Sequence, residues 1–430
     1  MTIARHDQLK ANGSGFSRRS FLHQVSAGAL AAGTLSLRDV MTLQAAELRK
    51  QGKSVILLWM GGGPSQFETF DPKPGTANGG PTEAISTSVP GIKIAQGWDQ
   101  TAKMMDDIAI IRSMTNKEGS HPRATYQMHT GYIPSGSVKH PSFAASIAKE
   151  LADPKFDLPA VVSVGATQGA GFLGVNFEPF VVADPGSLPQ NVATSVESTR
   201  YRRRLGLLDK LEGEFAERGG DVVVENHRQL YGKTSKMVLS SELKAFDISD
   251  EPQSLKDSYG DNTFGRGCLL ARRLVEQGTT FVEISARSSQ ANWDTHQDNF
   301  ERTAENSAMI DPAFAMLILD LKDRGRFQDT VVLWTGEFGR TPKINPRGGR
   351  DHYPRVFNAA IAGGGLKGGQ VIGASTKDGS AVERDPVTPG DLFSSVCRAI
   401  NVNPAKENMS PLGRPMRIVD KGEPIKALFG

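Results

Sequence analysis

Val331-Val332-Leu333-Trp334 runs without a break into Thr335-Gly336-Glu337-Phe338-Gly339-Arg340-Thr341-Pro342. A short run of large apolar residues that ends in turn residues reads as a strand covered on both faces. The loop after it sets a carboxylate, Glu337, at the strand's carboxyl end. Five more runs have this form: Val55–Met60, Ile108–Ile111, Ala160–Val164, Thr280–Ile284 and Phe357–Ala362. Helical patterns lie between them. Asn262–Glu276 is one. Asn299–Leu321 is another, with Met309, Phe314, Met316, Leu317 and Leu319 on its apolar face. Asp391–Ile400 is a third, with Asp391 as its expected N-cap. Strands alternating with helices predict an α/β fold, a doubly wound and mostly parallel sheet with helices on both faces. In such sheets chemistry gathers in the loops beyond the carboxyl ends of the strands.

Two segments stand outside this alternation. Residues 198–249 are charged and helical in pattern, broken by Gly219-Gly220, and predict a helical insertion packed on the core. Its Arg202-Arg203-Arg204 suits a solvated helix face or an anion patch. At the other end, Ser17-Arg18-Arg19-Ser20-Phe21-Leu22 precedes a soft apolar run, Val25–Leu37. That run falls short of the ~20 residues of a stable membrane span. Paired arginines before a mildly apolar stretch read as a twin-arginine export signal over residues 1–46, with the working domain over 47–430. This predicts the twin-arginine export machinery as a partner and a periplasmic or secreted destination.

The chain carries 50 Lys+Arg against 47 Asp+Glu, and residues 1–46 hold five of the bases and two of the acids. The remainder is therefore formally neutral. Nothing in that balance points to nucleic acid, and attraction for an anion must come from local groups. The two cysteines, Cys268 and Cys397, exclude a disulfide scaffold and a Cys-rich metal site. Their apolar, helix-like settings suit buried thiols, although an oxidising compartment permits a bond between them.

Four loops hold the polar residues that matter. Gly61-Gly62-Gly63-Pro64 lets a ligand or another backbone approach closely, but its spacing fits neither a Walker loop nor a dinucleotide fingerprint. Gly119-Ser120-His121-Pro122-Arg123 opens a helix, whose N-terminus and Arg123 suit an anion. Ser120 or His121 projects into the same mouth as nucleophile or acid/base, while His129, two turns on, reads as a structural helix residue. In Asn292-Trp293-Asp294-Thr295-His296, the i, i+2 spacing puts Asp294 and His296 on one side of an extended segment. An oxygen beside an imidazole is a partial site for a borderline metal, and Trp293 beside the pair would exclude water. Arg350-Asp351-His352-Tyr353 supplies a second such pair. Asp294, His296, Glu337, Asp351 and His352 are thus expected to converge on one or two divalent ions.

Long blocks of the chain carry a resemblance. GGGPSQFETFDPKPG, EPQSLKDSYG, FGRGCLLARRLVEQG, NWDTHQDNFER, GEFGRTPKIN, GRDHYP and IAGGGLKGGQVIGAS look like the secreted domain-of-unknown-function family fifteen-oh-one. That family is similar to the alkaline phosphatase and sulfatase superfamily. The resemblance implies the doubly wound fold and a divalent metal ion, Zn, Ca, Mn or Mg. Glu337-Phe338-Gly339 resembles the superfamily's strand-end acidic block, Asp294 and His296 its preceding metal pair, and His352 its late metal-binding histidine. Ser120-His121-Pro122-Arg123 loosely resembles the sulfatase nucleophile block, here without a cysteine. The chain departs at the first strand, where Gly61-Gly62-Gly63 stands in place of metal-binding acids and Glu68 or Asp71 are the substitutes at hand. It also has Gln66 where many relatives carry a histidine. The implied activity is an exported, metal-dependent hydrolase of phosphate or sulfate esters, using metal-activated water, with a small-molecule or glycan ester as substrate. Arg123 and Arg340 would hold the anionic group. The alternatives are a catalytically degenerate binding protein for an anionic or glycan ligand, and a structural role through the helical insertion.

Overall fold

All six apolar runs form strands of one eight-stranded sheet. The computed structural model describes residues 52–189, 192 and 196–430; the segment read as an export signal lies outside them. In chain order the sheet strands are β1 (Ser54–Trp59), β2 (Ile108–Met114), β3 (Val161–Val164), β4 (Phe180–Val182), β5 (Phe281–Ser285), β6 (Thr330–Thr335), β7 (Phe357–Gly363) and β8 (Gln370–Ile372). Their spatial order is β8-β2-β7-β6-β1-β5-β3-β4. Every ladder is parallel except the two made by β7, which runs antiparallel to both β6 and β2. The edge strands β4 and β8 have three residues each, largely half-exposed, so no apolar run announces them.

Side chains alternate across the sheet as the pleat requires. Ile56, Leu58 and Met60 enter one core, and Val55, Leu57 and Trp59 the other. The longer helices are α1 (His121–Thr130), α2 (Phe143–Leu151), α3 (Ser198–Phe215), α4 (Asp221–Leu239), α5 (Thr263–Gln277), α6 (Asn299–Asp323) and α7 (Pro389–Ala399). Leu269 on α5 and Phe314 and Leu317 on α6 cover the first face. Met128 on α1, Ile147 on α2 and Val396 on α7 cover the second. Each such fully buried side chain contributes about 1.5–3 kcal/mol relative to exposure.

Both cysteines are free and buried, Cys268 in the first core and Cys397 in the second, so the sheet separates them. Burial pushes both thiols up, that of Cys397 to about 12. Helix α7 begins two residues earlier than expected. Thr388 is its N-cap, Pro389 fills an opening position, and Asp391 sits at the third position, closing a capping box with Thr388.

The insertion is a helical hairpin. Gly219-Gly220 falls in a π-helical turn, Ala216–Gly220, after which α4 folds back along α3. Arg228 reaches Asp209 at 2.7 Å and His227 lies 3.2 Å from Glu212. Among the described residues of the hairpin, Met237 and Val238 on α4 reach the core. Arg202, Arg203 and Arg204 are all exposed. Among the described residues, no helix is long and apolar enough to cross a membrane.

The reversed strand decides how the site is assembled. Parallel strands β1, β2, β3, β5 and β6 all send their carboxyl ends to one edge. Because β7 runs the other way, its amino end arrives at that same edge. The Asp351-His352 segment therefore reaches the site by leading into a strand rather than by following one.

Candidate metal centre

Helix α1 begins at His121, with Ser120 in the N-cap position but making no side-chain cap bond, and it ends at Gly131 in the left-handed region, φ 76°. His121 thus projects from the helix mouth. Its Nδ1 lies 2.6 Å from Glu337 Oε1. Both Glu337 oxygens accept the Gly62 N–H, at 2.9 and 3.2 Å, and Asn116 Nδ2 donates to the Glu337 carbonyl at 2.9 Å. Gly62 has φ 114°, and a Cβ there would stand 2.5 Å from Asp294 N and 2.8 Å from Trp293 N. The glycine run therefore serves close backbone approach: it lets the 292–294 segment lie against the loop after β1.

Two more imidazoles arrive on that segment and on the one before β7. His296 Nδ1 lies 2.8 Å from Asp351 Oδ1, and His352 Nδ1 lies 2.9 Å from the Gly119 carbonyl. Every one of the three rings thus has its Nδ1 against an acceptor, an arrangement that with a cation at the other edge would place the proton on Nδ1 and a lone pair on Nε2. All three Nε2 atoms turn towards Asp294 Oδ1, at 3.2 Å for His121, 3.1 Å for His296 and 3.3 Å for His352. His296 Nε2 and His352 Nε2 are themselves 3.1 Å apart. His121 Nε2 is buried and makes no hydrogen bond, so its approach to Asp294 is close without being aligned. Nitrogens converging around one carboxylate oxygen fit a cation placed among them. His121, Asp294 and His352 form a cluster that could hold a metal ion, their ligand atoms all within 4.8 Å of one another.

Asp294 is held from behind by Arg340, whose Nη2 donates to Oδ1 at 2.7 Å. Burial alone would raise this carboxyl, but the Arg340 bond and charge, with His121 beside it, hold it well below the usual carboxylate range. Burial, reinforced by Arg340 and His121, pulls the His352 imidazole below its ordinary value, which keeps its lone pair free. The bond from His296 lowers Asp351 in turn. Beneath the 292–294 segment, fully buried Trp293 stacks on Trp98 at 6.3 Å and meets Trp334 edge-on at 6.4 Å.

The structure brings His121, Asp294, His296 and His352 together with their ligand atoms inward. Glu337 and Asp351 stand one layer out, each holding an imidazole. Arg340 is fully buried, and its guanidinium also donates to the carbonyls of Gly62, Gly63 and Arg350, so it faces backbone and Asp294 rather than open space. Ser120 is exposed. Arg123 is exposed too, and is not brought to the cluster: two of its nitrogens bind the Glu118 carboxylate at 2.7 Å each. The possible substitutes for first-strand acids are engaged elsewhere. Glu68 binds Arg350 at 2.9 Å, while Asp71 binds Lys73 at 2.9 Å and also Ser375. Gln66 clamps the backbone of Arg340 through both ends of its amide.

Beside the cluster lies an open cleft of ≈ 420 Å³ whose lining includes His121, Glu337, Gly61, Thr125, His129 and Arg287. His121, Thr125 and His129 fall at i, i+4 and i+8, one face of α1. His129 is buried with Nε2 3.1 Å from Glu283 Oε1 and Nδ1 2.8 Å from the Thr125 carbonyl, and Thr167 Oγ1 donates to Glu283 Oε2 at 2.5 Å. Burial works against the charged imidazole, yet Glu283 raises it above its ordinary value. The signal for this pair was an acid inside an apolar strand run, Phe281-Val282-Glu283-Ile284, because a buried charge needs a partner.

These features define a mixed α/β protein with a histidine–aspartate cluster at the carboxyl edge of its sheet. Residues 52–429 match the sequence model described as "Protein of unknown function (DUF1501)", and the chain belongs to that family. No curated protein matches the sequence. Among solved structures it is similar to the PsFucS1 sulfatase from Pseudoalteromonas sp., at 15% identity over 84% of this chain and 70% of that one, TM-score 0.36. It is similar to the phosphonate monoester hydrolase of Agrobacterium radiobacter, at 10% identity over 87% and 77%, TM-score 0.38. The alkaline phosphatase of the Antarctic bacterium TAB5 is a third, at 14% identity over 82% and 99%, TM-score 0.32. Likeness so distant says nothing of what this chain acts on.

Proposed function

We propose that the protein is a metal-dependent hydrolase of phosphate or sulfate esters, exported through the twin-arginine route and working in the periplasm or outside the cell. The observation that carries the reading is the convergence of three Nε2 atoms on Asp294 Oδ1, each ring anchored through Nδ1. His121, Asp294 and His352 would hold a divalent ion, which would supply Lewis acidity and activate water for attack. The chain's own groups prepare for this. Glu337, Asp351 and the Gly119 carbonyl hold the Nδ1 edges of the three rings and so orient their Nε2 atoms. Arg340 keeps Asp294 ionised and fixes its orientation. A donor set of two imidazoles and one carboxylate, His121 and His352 with Asp294, favours Zn or another first-row ion over Ca or Mg, which prefer oxygen.

The test is metal content in protein purified without chelator, followed by turnover of nitrophenyl phosphate and sulfate. About one ion per chain is expected, lost in Asp294→Asn and in His352→Ala while circular dichroism stays native. Protein without metal, or metal kept in both variants, would overturn the assignment. The binding-protein reading draws on one observation, the engagement of Glu68 and Asp71 away from the cluster. It predicts metal uptake and anion binding without turnover.

A further inference from the structure

We propose that Arg287 is the residue that holds the anionic group, and that the cleft beside the cluster is the subsite for a tetrahedral oxyanion. The inference rests on the hydrolase reading and assigns a part of it that neither Arg123 nor Arg340 fills. Arg340 is fully buried, and its N–H groups already serve three carbonyls and Asp294. Arg123 is turned to solvent and forked onto Glu118.

Arg287 is exposed as Arg123 is, but it differs in place and in partners. It lies on the single turn Ala286–Ser289 that leaves β5 at the carboxyl edge, and it lines the same cleft as His121 and Glu337. Among the described residues no acid pairs with it and no side-chain hydrogen bond holds it. Its stem lies along the loop after β1: a Cβ built at Gly61 would stand 3.4 Å from both Arg287 Cδ and Nε. The acids nearby are satisfied by others, Glu337 by His121 and Gly62, Glu283 by His129 and Thr167. The cleft therefore contains a guanidinium that no acid pairs with, beside a cluster suited to a metal. A guanidinium fork matches two oxygens of a phosphate or sulfate group. In a formally neutral domain, such a local charge is what an anionic substrate can respond to.

The experiment is calorimetric titration of inorganic phosphate and inorganic sulfate into the metal-loaded protein, with metal content read on each sample. Wild type is expected to bind one or both anions. Arg287→Gln should weaken binding at least tenfold with metal content and circular dichroism unchanged, and Arg287→Lys by less. Arg123→Gln should bind as wild type does. Metal-loaded wild type that takes up neither anion, or Arg287→Gln that binds as tightly as wild type, overturns the proposal. Absence of metal from wild type instead overturns the hydrolase reading, so the two failures are distinct.

Discussion

His121 and His129 stand two turns apart on one helix, each beside an acid from the sheet edge or a strand, yet they are opposite kinds of site. Both nitrogens of His129 meet acceptors, the Thr125 carbonyl and Glu283, and the ring lies buried with its Nε2 closed by that carboxylate. His121 gives one nitrogen to Glu337 and keeps the other free of any hydrogen bond, facing Asp294 and beside His352. A histidine–carboxylate pair is therefore not what marks a functional centre here. The mark is a ring nitrogen left without a hydrogen-bond partner and facing a carboxylate on which other imidazoles converge.

The comparison can be broken first at the buried pair. Glu283→Ala leaves His129 without its acid, and loss of one partner of a buried ion pair costs about 3–5 kcal/mol. Denaturant unfolding should show that loss while metal content stays at the wild-type level. Glu337→Gln addresses the open pair. It should lower metal affinity about 10- to 100-fold, as loss of an outer partner typically does, with a far smaller change in stability; competition with a chelator reads this out. Unchanged affinity would remove Glu337 from the site.

Gly62→Ala tests the backbone contact that joins the two halves of the centre. A side chain at φ 114° beside Asp294 N should cost about 1–3 kcal/mol and weaken metal binding together with stability. A smaller effect comes from pH. The His129 pKa is raised in the folded protein, so its contribution is complete below the unfolded value of about 6.5 and declines as pH rises through the folded value. Thermal melts from neutral to alkaline pH should therefore converge for wild type and His129→Gln. Divergence with rising pH would contradict the sign.

Much of this layout is legible in the residues. Near-continuous apolar runs mark the six long strands because both sheet faces are covered. The edge strands escape because three half-exposed residues carry no such pattern. Asp294 and His296 are readable from their i, i+2 spacing in an extended segment. The direction of a carboxylate is not readable. Glu337 and Asp351 occupy positions a ligand would take, but tertiary packing puts a histidine Nδ1 in front of each. Arg340 likewise reads as a free cation until the carbonyls of Gly62, Gly63 and Arg350 are seen around it, and those come from distant parts of the chain. The reversed direction of β7 depends on pairing, not on local sequence, and it is what delivers His352.

The most direct test pairs the two histidines in one measurement: metal content by plasma mass spectrometry on chelator-free His121→Ala and His129→Gln, beside wild type. The account predicts about one ion per chain in wild type and His129→Gln, and none in His121→Ala. Metal retained in His121→Ala, or lost from a folded His129→Gln, would contradict it.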